Sequence, residues 1–235
     1  LDILRRNMKL WDSGLADLRR MVREFQIDCD WDEYGRLYGA AGPDGEKHID
    51  EISETLDQLG LKHSWLDQNA MQSRIGTSFY HRGLHTSGSA LVNPAALMRG
   101  LARNLPVNVE LFENSPVTCL SRERVGFELT TASGLIKAER VVMAAGVFMK
   151  QFGIATGRFV PMATYASLTK PLDETQLGQL GIARPFGLLG GSEYGATIRL
   201  TKDNRLFVRN VFKHAPAKPT AKKNVADISK LHRKA

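Results

Sequence analysis

Residues 138–153, AERVVMAAGVFMKQFG, constrain the fold more than any other part of this chain. The run Val141-Val142-Met143-Ala144 shows no polar alternation and so reads as a buried strand. Ala145 and Gly146 follow, and residues 147–152 have the pattern of one or two helical turns. Small side chains at 144, 145 and 146 leave the backbone bare, and a glycine admits close approach or positive φ. A bare strand end turning into a helix, at the edge of a parallel sheet, is where α/β proteins seat a nucleotide or flavin. An ordinary strand-to-helix turn would use the same residues, so this stretch alone leaves both readings open.

At 235 residues the chain is one large domain or two small ones, long enough to bury roughly 70% of its unfolded surface. No apolar run approaches the ~18 residues of a membrane helix, so no membrane partner is expected. The first residues interleave apolar side chains with Arg and Lys, unlike a signal peptide. Cys29 and Cys119 lie far apart without a spacing motif, which argues against a disulfide framework and for a reducing cytoplasm. The chain begins at Leu1 rather than Met, and the expectation is a piece of a longer protein.

The net charge of +7 is unevenly spread. Residues 213–235 carry seven Lys or Arg against Asp227 alone, leaving 25 basic and 24 acidic residues before them. The excess belongs to a basic tail and not to a basic face of the folded body. Nucleic-acid binding would call for aromatics interleaved with the basic residues, but the last aromatic is Phe212. A solvated segment is expected instead.

The first segment is the clearest helix. Leu1, Leu4, Met8, Trp11, Leu15, Leu18, Val22 and Phe25 form one apolar stripe at steps of three and four, expected to pack on a core. Residues 35–41 read as a strand, Pro43-Asp44-Gly45 as a turn, and 46–59 as a helix closed by Gly60. A small helix near 70–75 and a strand at 79–86 follow. His81 and His85 have no acid or Cys beside them in sequence to complete a metal set. Asn93 and Pro94 carry N-cap and first-turn chemistry for a helix through Leu105. Residues 109–112 (VELF) read as a strand, and 117–123, 127–132 and 135–138 as an antiparallel meander leading into Val141.

This order resembles a family. The segments GLHTSGSALVNPAALMRGLARNL, VELFENSPVTCL and FELTTASGLIKAERVVMAAGVF, taken collinearly, resemble the FAD-dependent oxidoreductases of the D-amino-acid oxidase type. That group includes glycine oxidase, sarcosine oxidase and γ-glutamylputrescine oxidase, and the likeness is nearest the last branch. Residues 161–165, 168–172 and 197–206 resemble the strands and hairpin of the family's substrate domain. One departure is plain: no G-x-G-x-x-G occurs, and residues 187–195 (GLLGGSEYG) are glycine-rich at the wrong spacing.

The resemblance implies an α/β chain of mixed α+β character. A mixed sheet over 30–86 and 160–212 would have helices on one face, with part of an FAD-binding domain beside it. The expected divisions are 1–86 and 154–212 for the substrate domain, 87–153 for the FAD remnant and 213–235 for the tail. It implies oxidation of a small amine or amino acid by hydride transfer to flavin. FAD would be held in the full-length parent and weakly or not at all by this chain. Val117 would meet the adenine through its backbone, Ala144, Ala145 and Gly146 would lie along the cofactor, and Phe148 would cover it. Sheet-and-turn packing explains the same five residues without a cofactor. Tyr194 and Arg199 would face the substrate, although Arg199, with Arg205 and Arg209 after it, reads on its own as a solvated strand face. No catalytic residue and no metal ligand is assigned. A flavin-free interaction module anchored by the tail is the alternative.

Overall fold

The computed structural model describes residues 1–160, 162–182, 184–192, 195–214 and 232. Among them the chain forms two compact units, one of Leu1–Asn104 and Thr164–Phe212, the other of Leu105–Ala163 with residues 213 and 214. Residues 87–104, placed with the FAD remnant in the sequence reading, cluster with the first unit.

The larger unit opens with α1 (Asp2–Glu24). Its apolar stripe meets a core only near its C-terminal end. Val22 is buried with Ile27, Cys29 and Leu97, and Leu18 and Phe25 pack on them, while Leu4 and Trp11 stay exposed. Arg19 ties the helix to Glu33, Nη2 to Oε2 at 2.9 Å, and Trp31 Nε1 donates to the same carboxylate at 2.8 Å.

Strand β1 (Arg36–Ala40) leads into α2 (Pro43–Leu59). The Pro43-Asp44-Gly45 turn expected from sequence is in fact the first turn of this helix: proline has no N–H to lose at a helix start and its φ already suits it. Gly60 ends α2 at φ +69° as expected. Next come β2 (His63–Asp67), α3 (Gln68–Ile75) capped by Asp67, and β3 (Arg82–Thr86). Asn93 then caps α4 (Pro94–Arg103) by accepting from the Ala96 N–H at 3.1 Å.

The smaller unit holds the meander β4 (Cys119–Arg122), β5 (Phe127–Thr131) and β6 (Gly134–Ala138), antiparallel with Leu120 opposite Leu129 and Leu129 opposite Ile136. A 3-10 helix follows at Gly146–Phe152. Two expected strands are absent. Residues 109–112 and 141–144 have no ladder, and Val109, Leu111, Phe112 and Val142 are exposed. An apolar run becomes a strand only when a neighbouring backbone takes its N–H and C=O groups, and among the described residues none does.

The chain then returns to the larger unit through β7 (Met162–Leu168), α5 (Glu174–Leu180), β8 (Phe186–Gly190), β9 (Thr197–Leu200) and β10 (Leu206–His214). The glycine-rich 187–195 thus begins inside a strand. Seven strands make one sheet in the order β2-β3-β1-β8-β9-β10-β7. It is mixed: β1 and β8 run parallel, while β2/β3, β3/β1, β8/β9 and β9/β10 are antiparallel.

Register assigns the faces, because residues directly opposite share one. Leu37, Leu188 and Ile198 stand in a row on one face, and with Phe186, Leu200 and the α3 residues Met71 and Ile75 they form the main core. Gly39 and Gly83, opposite each other on this face, make room for it: a Cβ on Gly39 would lie 2.6 Å from the Tyr80 ring and one on Gly83 would strike Met71. Helix α2 reaches Arg82 and His63 on the other face, through Asp50 at 2.9 Å and Ser53 at 2.9 Å. The single helical face expected from sequence is therefore two, with α3 and α2 on opposite sides.

Candidate functional site

In the smaller unit, Val117, Ala144 and Ala145 come together around a cavity of about 330 Å³. Its wall is apolar, completed by Leu120 and Leu129 from the meander, Val141 and Phe152. The 3-10 helix places Phe152 there, with the Phe148 N–H donating to Ala145 O at 3.0 Å to start the turn. Gly146 takes φ +53°, a left-handed conformation that suits glycine, but neither it nor Phe148 lines the cavity. Phe148 is 71% exposed. The aromatic at the cavity is Phe152, four residues on, which sequence periodicity could not have distinguished from it.

In the larger unit the sheet face opposite the main core carries polar side chains on β9 and β10. Tyr38 lies opposite Leu189, Leu189 opposite Thr197 and Thr197 opposite Arg209; Gly187 lies opposite Arg199 and Arg199 opposite Phe207. Alternation along β1 puts Arg36 on this face as well. Arg199 is half-buried, not the solvated residue its spacing suggested, and its guanidinium lies 5.8 Å from the Phe207 ring centroid. Burial first, then repulsion from Arg209 and Arg36, pushes its pKa below the usual arginine value. Arg36 Nη1 donates to the Tyr38 hydroxyl at 3.1 Å and Arg209 Nη2 to Thr197 Oγ1 at 2.7 Å. Arg209 Nε and Ser89 Oγ are buried with no hydrogen-bond partner among the described residues.

Two cavities open on this face. A small one of about 120 Å³ is lined by Arg36, Ser89, Gly187, Thr197 and Arg199. A larger one of about 570 Å³ shares Arg199 and Leu91 with it and extends past Phe207 to Asn93 and Pro94 at the head of α4. Neither Arg36 nor Ser89 could be singled out from sequence, since their relevance comes from strand register. Tyr194 lies outside the described residues. His85 Nε2 is 2.9 Å from the Tyr34 carbonyl oxygen, and among the described residues no three His, Cys, Asp or Glu side chains gather around a point.

Two solved structures place the fold. The chain superposes on glycine oxidase from Bacillus cereus with a TM-score of 0.73 at 14% identity, covering 95% of this chain and 61% of that one. Against glycine oxidase from Geobacillus kaustophilus the TM-score is 0.70 at 18% identity, over 97% and 60%. The fold is thus that of glycine oxidase-like flavoproteins. In sequence, residues 3–235 match the family model of FAD dependent oxidoreductases, and the chain belongs to that family. It is 23% identical over 214 residues to a probable oxidoreductase, OrdL, of Haemophilus influenzae, covering 84% of this chain and 48% of that protein. It is also 33% identical over 102 residues to a glycine oxidase of Bacillus licheniformis, over 41% and 26%. The chain spans less than half the length of these two relatives.

FAD is the cofactor this family uses, and the residues present fit part of it. The apolar cavity with bare backbone at Ala144 and Ala145 suits a flat ring system. A pyrophosphate seat of the G-x-G-x-x-G kind is not in this sequence, where no two glycines stand two positions apart. Among the described residues, no helix is long and apolar enough to cross a membrane.

Proposed function

We propose that the whole protein oxidises a small amine or amino acid, with FAD as electron acceptor. The observation that carries this reading is Arg199: a half-buried cation on the sheet face opposite the main core, lining two cavities, with no carboxylate bound to it among the described residues. A guanidinium in that setting recognises a carboxylate through charge-assisted, bidentate hydrogen bonds. Bound flavin supplies the sink for the hydride that leaves the carbon beside the nitrogen. The chain's own residues do the rest. Arg199 orients the substrate by its acid group, Phe207 and Leu189 keep water from the face, and Val117, Ala144 and Ala145 hold a cofactor ring. Gly146 and Phe148 are proposed to border the cofactor outside the cavity described above, and Tyr194 to face the substrate. The names of the relatives, glycine oxidase among them, support an amino-acid substrate.

The full-length protein, reconstituted with FAD and given a panel of amino acids and N-substituted glycines, should reduce an acceptor dye or release peroxide. Arg199→Gln should raise KM for carboxylate substrates about 10- to 100-fold, the worth of one charged hydrogen-bonded contact. Unchanged KM values would remove Arg199 from the substrate site. We further propose that these 235 residues are a fragment holding half a cofactor site in a reducing cytoplasm, where Cys29 and Cys119 stay free. Equilibrium dialysis should then show weak FAD binding to this chain alone; tight, stoichiometric binding would overturn the fragment reading.

A further inference from the structure

Three cavities lie in file along one row of the sheet. By register Thr86, Arg36, Gly187, Arg199 and Phe207 stand side by side on β3, β1, β8, β9 and β10, and so share a face. Four strand spacings, about 19 Å, separate the first from the last. The larger cavity described above borders Arg199 and Phe207, and the small one borders Arg199, Gly187 and Arg36. A third, of about 450 Å³, borders Arg36 and Thr86 and is completed by residues of α1 and α2. Neighbouring cavities share residues: Leu91 and Arg199 for the first two, Arg36 and Ser89 for the last two.

The walls change character along the file. At the larger cavity Asp30, Asp32 and Asp203 stand with Arg199, Lys202 and Arg205, a balance that suits a zwitterion better than a lone anion. At the small one the Ser89 hydroxyl is buried with no partner among the described residues, and a hydroxyl in that state calls for a hydrogen-bonding atom beside it. The third is walled by Met8, Trp11, Ile52, Leu56 and Leu61. Met8 and Trp11 lie on the part of the α1 stripe that joins neither core cluster, so the core gives no account of their apolar character. Packing gives none of Gly187 either. A Cβ there would touch only Leu91, at an ordinary 3.4 Å, so the fold would accept a side chain that the small cavity has no room for.

We propose that the file of cavities receives one elongated amino acid, charged at its head, hydrogen-bonding part-way along its side chain and apolar at its end, as in a side-chain-acylated diamino acid. The head lies in the larger cavity, an amide oxygen accepts from the Ser89 hydroxyl, and the acyl chain lies between α1 and α2. Two strand spacings, about 10 Å, separate Arg199 from Arg36, so only a long side chain reaches the third cavity. The proposal rests on the reading that Arg199 marks the substrate end, and narrows the amino acid of that reading to one with this side chain.

The test titrates Nε-acetyl-lysine and Nε-octanoyl-lysine into the chain by NMR; the two share a head and an amide and differ by six methylenes. A fully buried methylene is worth about a factor of four and one in a half-open groove about two, so the octanoyl probe should bind about sixtyfold more tightly. It should also move the indole signal of Trp11, which the acetyl probe should leave in place. Trp11→Ala should cut the ratio of the two affinities several-fold, and Gly187→Val, which fills the small cavity, should abolish it. Equal affinities in the unaltered chain, or a ratio that survives Gly187→Val, would overturn the proposal. So would equally tight binding of N-propyloctanamide, which has the amide and the chain but no amino-acid head. If the acetyl probe binds and is lost in Arg199→Gln while the octanoyl chain adds nothing, the amino-acid reading stands and this proposal falls. If neither lysine probe binds, both fall.

Discussion

The two units use apolar sequence to different ends. In the larger one, Leu37, Leu84, Phe186 and Leu188 lie at 2% exposure or less, locked between a sheet and its helices. In the smaller one, Val107, Phe112, Val125, Val142 and Phe148 are all more than half exposed, though they are no less apolar. Composition does not separate these sets. The larger unit has a strand opposite each of its central apolar strands, whereas residues 109–112 and 141–144 have none among the described residues. Hydrophobicity selects which residues would be buried; backbone pairing decides which of them are.

That contrast can be broken experimentally. Phe186→Ala should destabilise the larger unit by about 3–5 kcal/mol, through lost burial and the cavity left behind, whereas Val142→Ala should stay within about 0.5 kcal/mol. Urea unfolding followed by circular dichroism measures both, and similar losses would erase the distinction between the units. Gly39→Ala should cost about 1–3 kcal/mol, since the new Cβ must push back the Tyr80 ring; a neutral result would mean that the core on that face can give way.

The smallest effect is one of pH. Glu33 is held down to about 2 by its hydrogen bonds from Arg19 and then Trp31, against an ordinary value of 4.5. A depressed carboxylate contributes stability that is fully present above the unfolded value and is lost as pH falls through the folded one. Between pH 5 and pH 2 the unaltered chain should therefore lose more stability than Glu33→Gln does. Both groups are largely solvated, so the difference will be modest, and parallel losses would show that the Arg19–Glu33 tie contributes nothing.

What could be read from sequence was the chemistry of single positions. Asn93 and Pro94 start a helix, and Gly60 stops one, wherever they occur, because caps are local. The same locality misleads at Pro43-Asp44-Gly45, since a proline that opens a turn and one that opens a helix carry the same fixed φ. Strand β2, His63–Asp67, escaped notice because an edge strand with Ser64, Trp65 and Asp67 exposed has little apolar pattern to show. At the candidate sites, Val117, Ala144 and Ala145 were readable as small or apolar residues in a collinear order. Arg36 was not, nor was the choice of Phe152 over Phe148 at the cavity. Each depends on where the backbone carries a side chain, which register and the last turn of a helix decide.

The parallel pairing of β1 with β8 has a kinetic side. Leu37 and Leu188 meet across a stretch of chain that includes Leu105–Ala163, the main part of the smaller unit, so the centre of the sheet closes through a long loop. Contacts this distant in sequence slow folding. Yet closure entropy grows only with the logarithm of loop length, about 0.6 kcal/mol for each doubling. The sheet is therefore nearly indifferent to the size of what is inserted between its halves, and the inserted unit is free to lengthen, shorten or diverge while the arginine-bearing face stays in register.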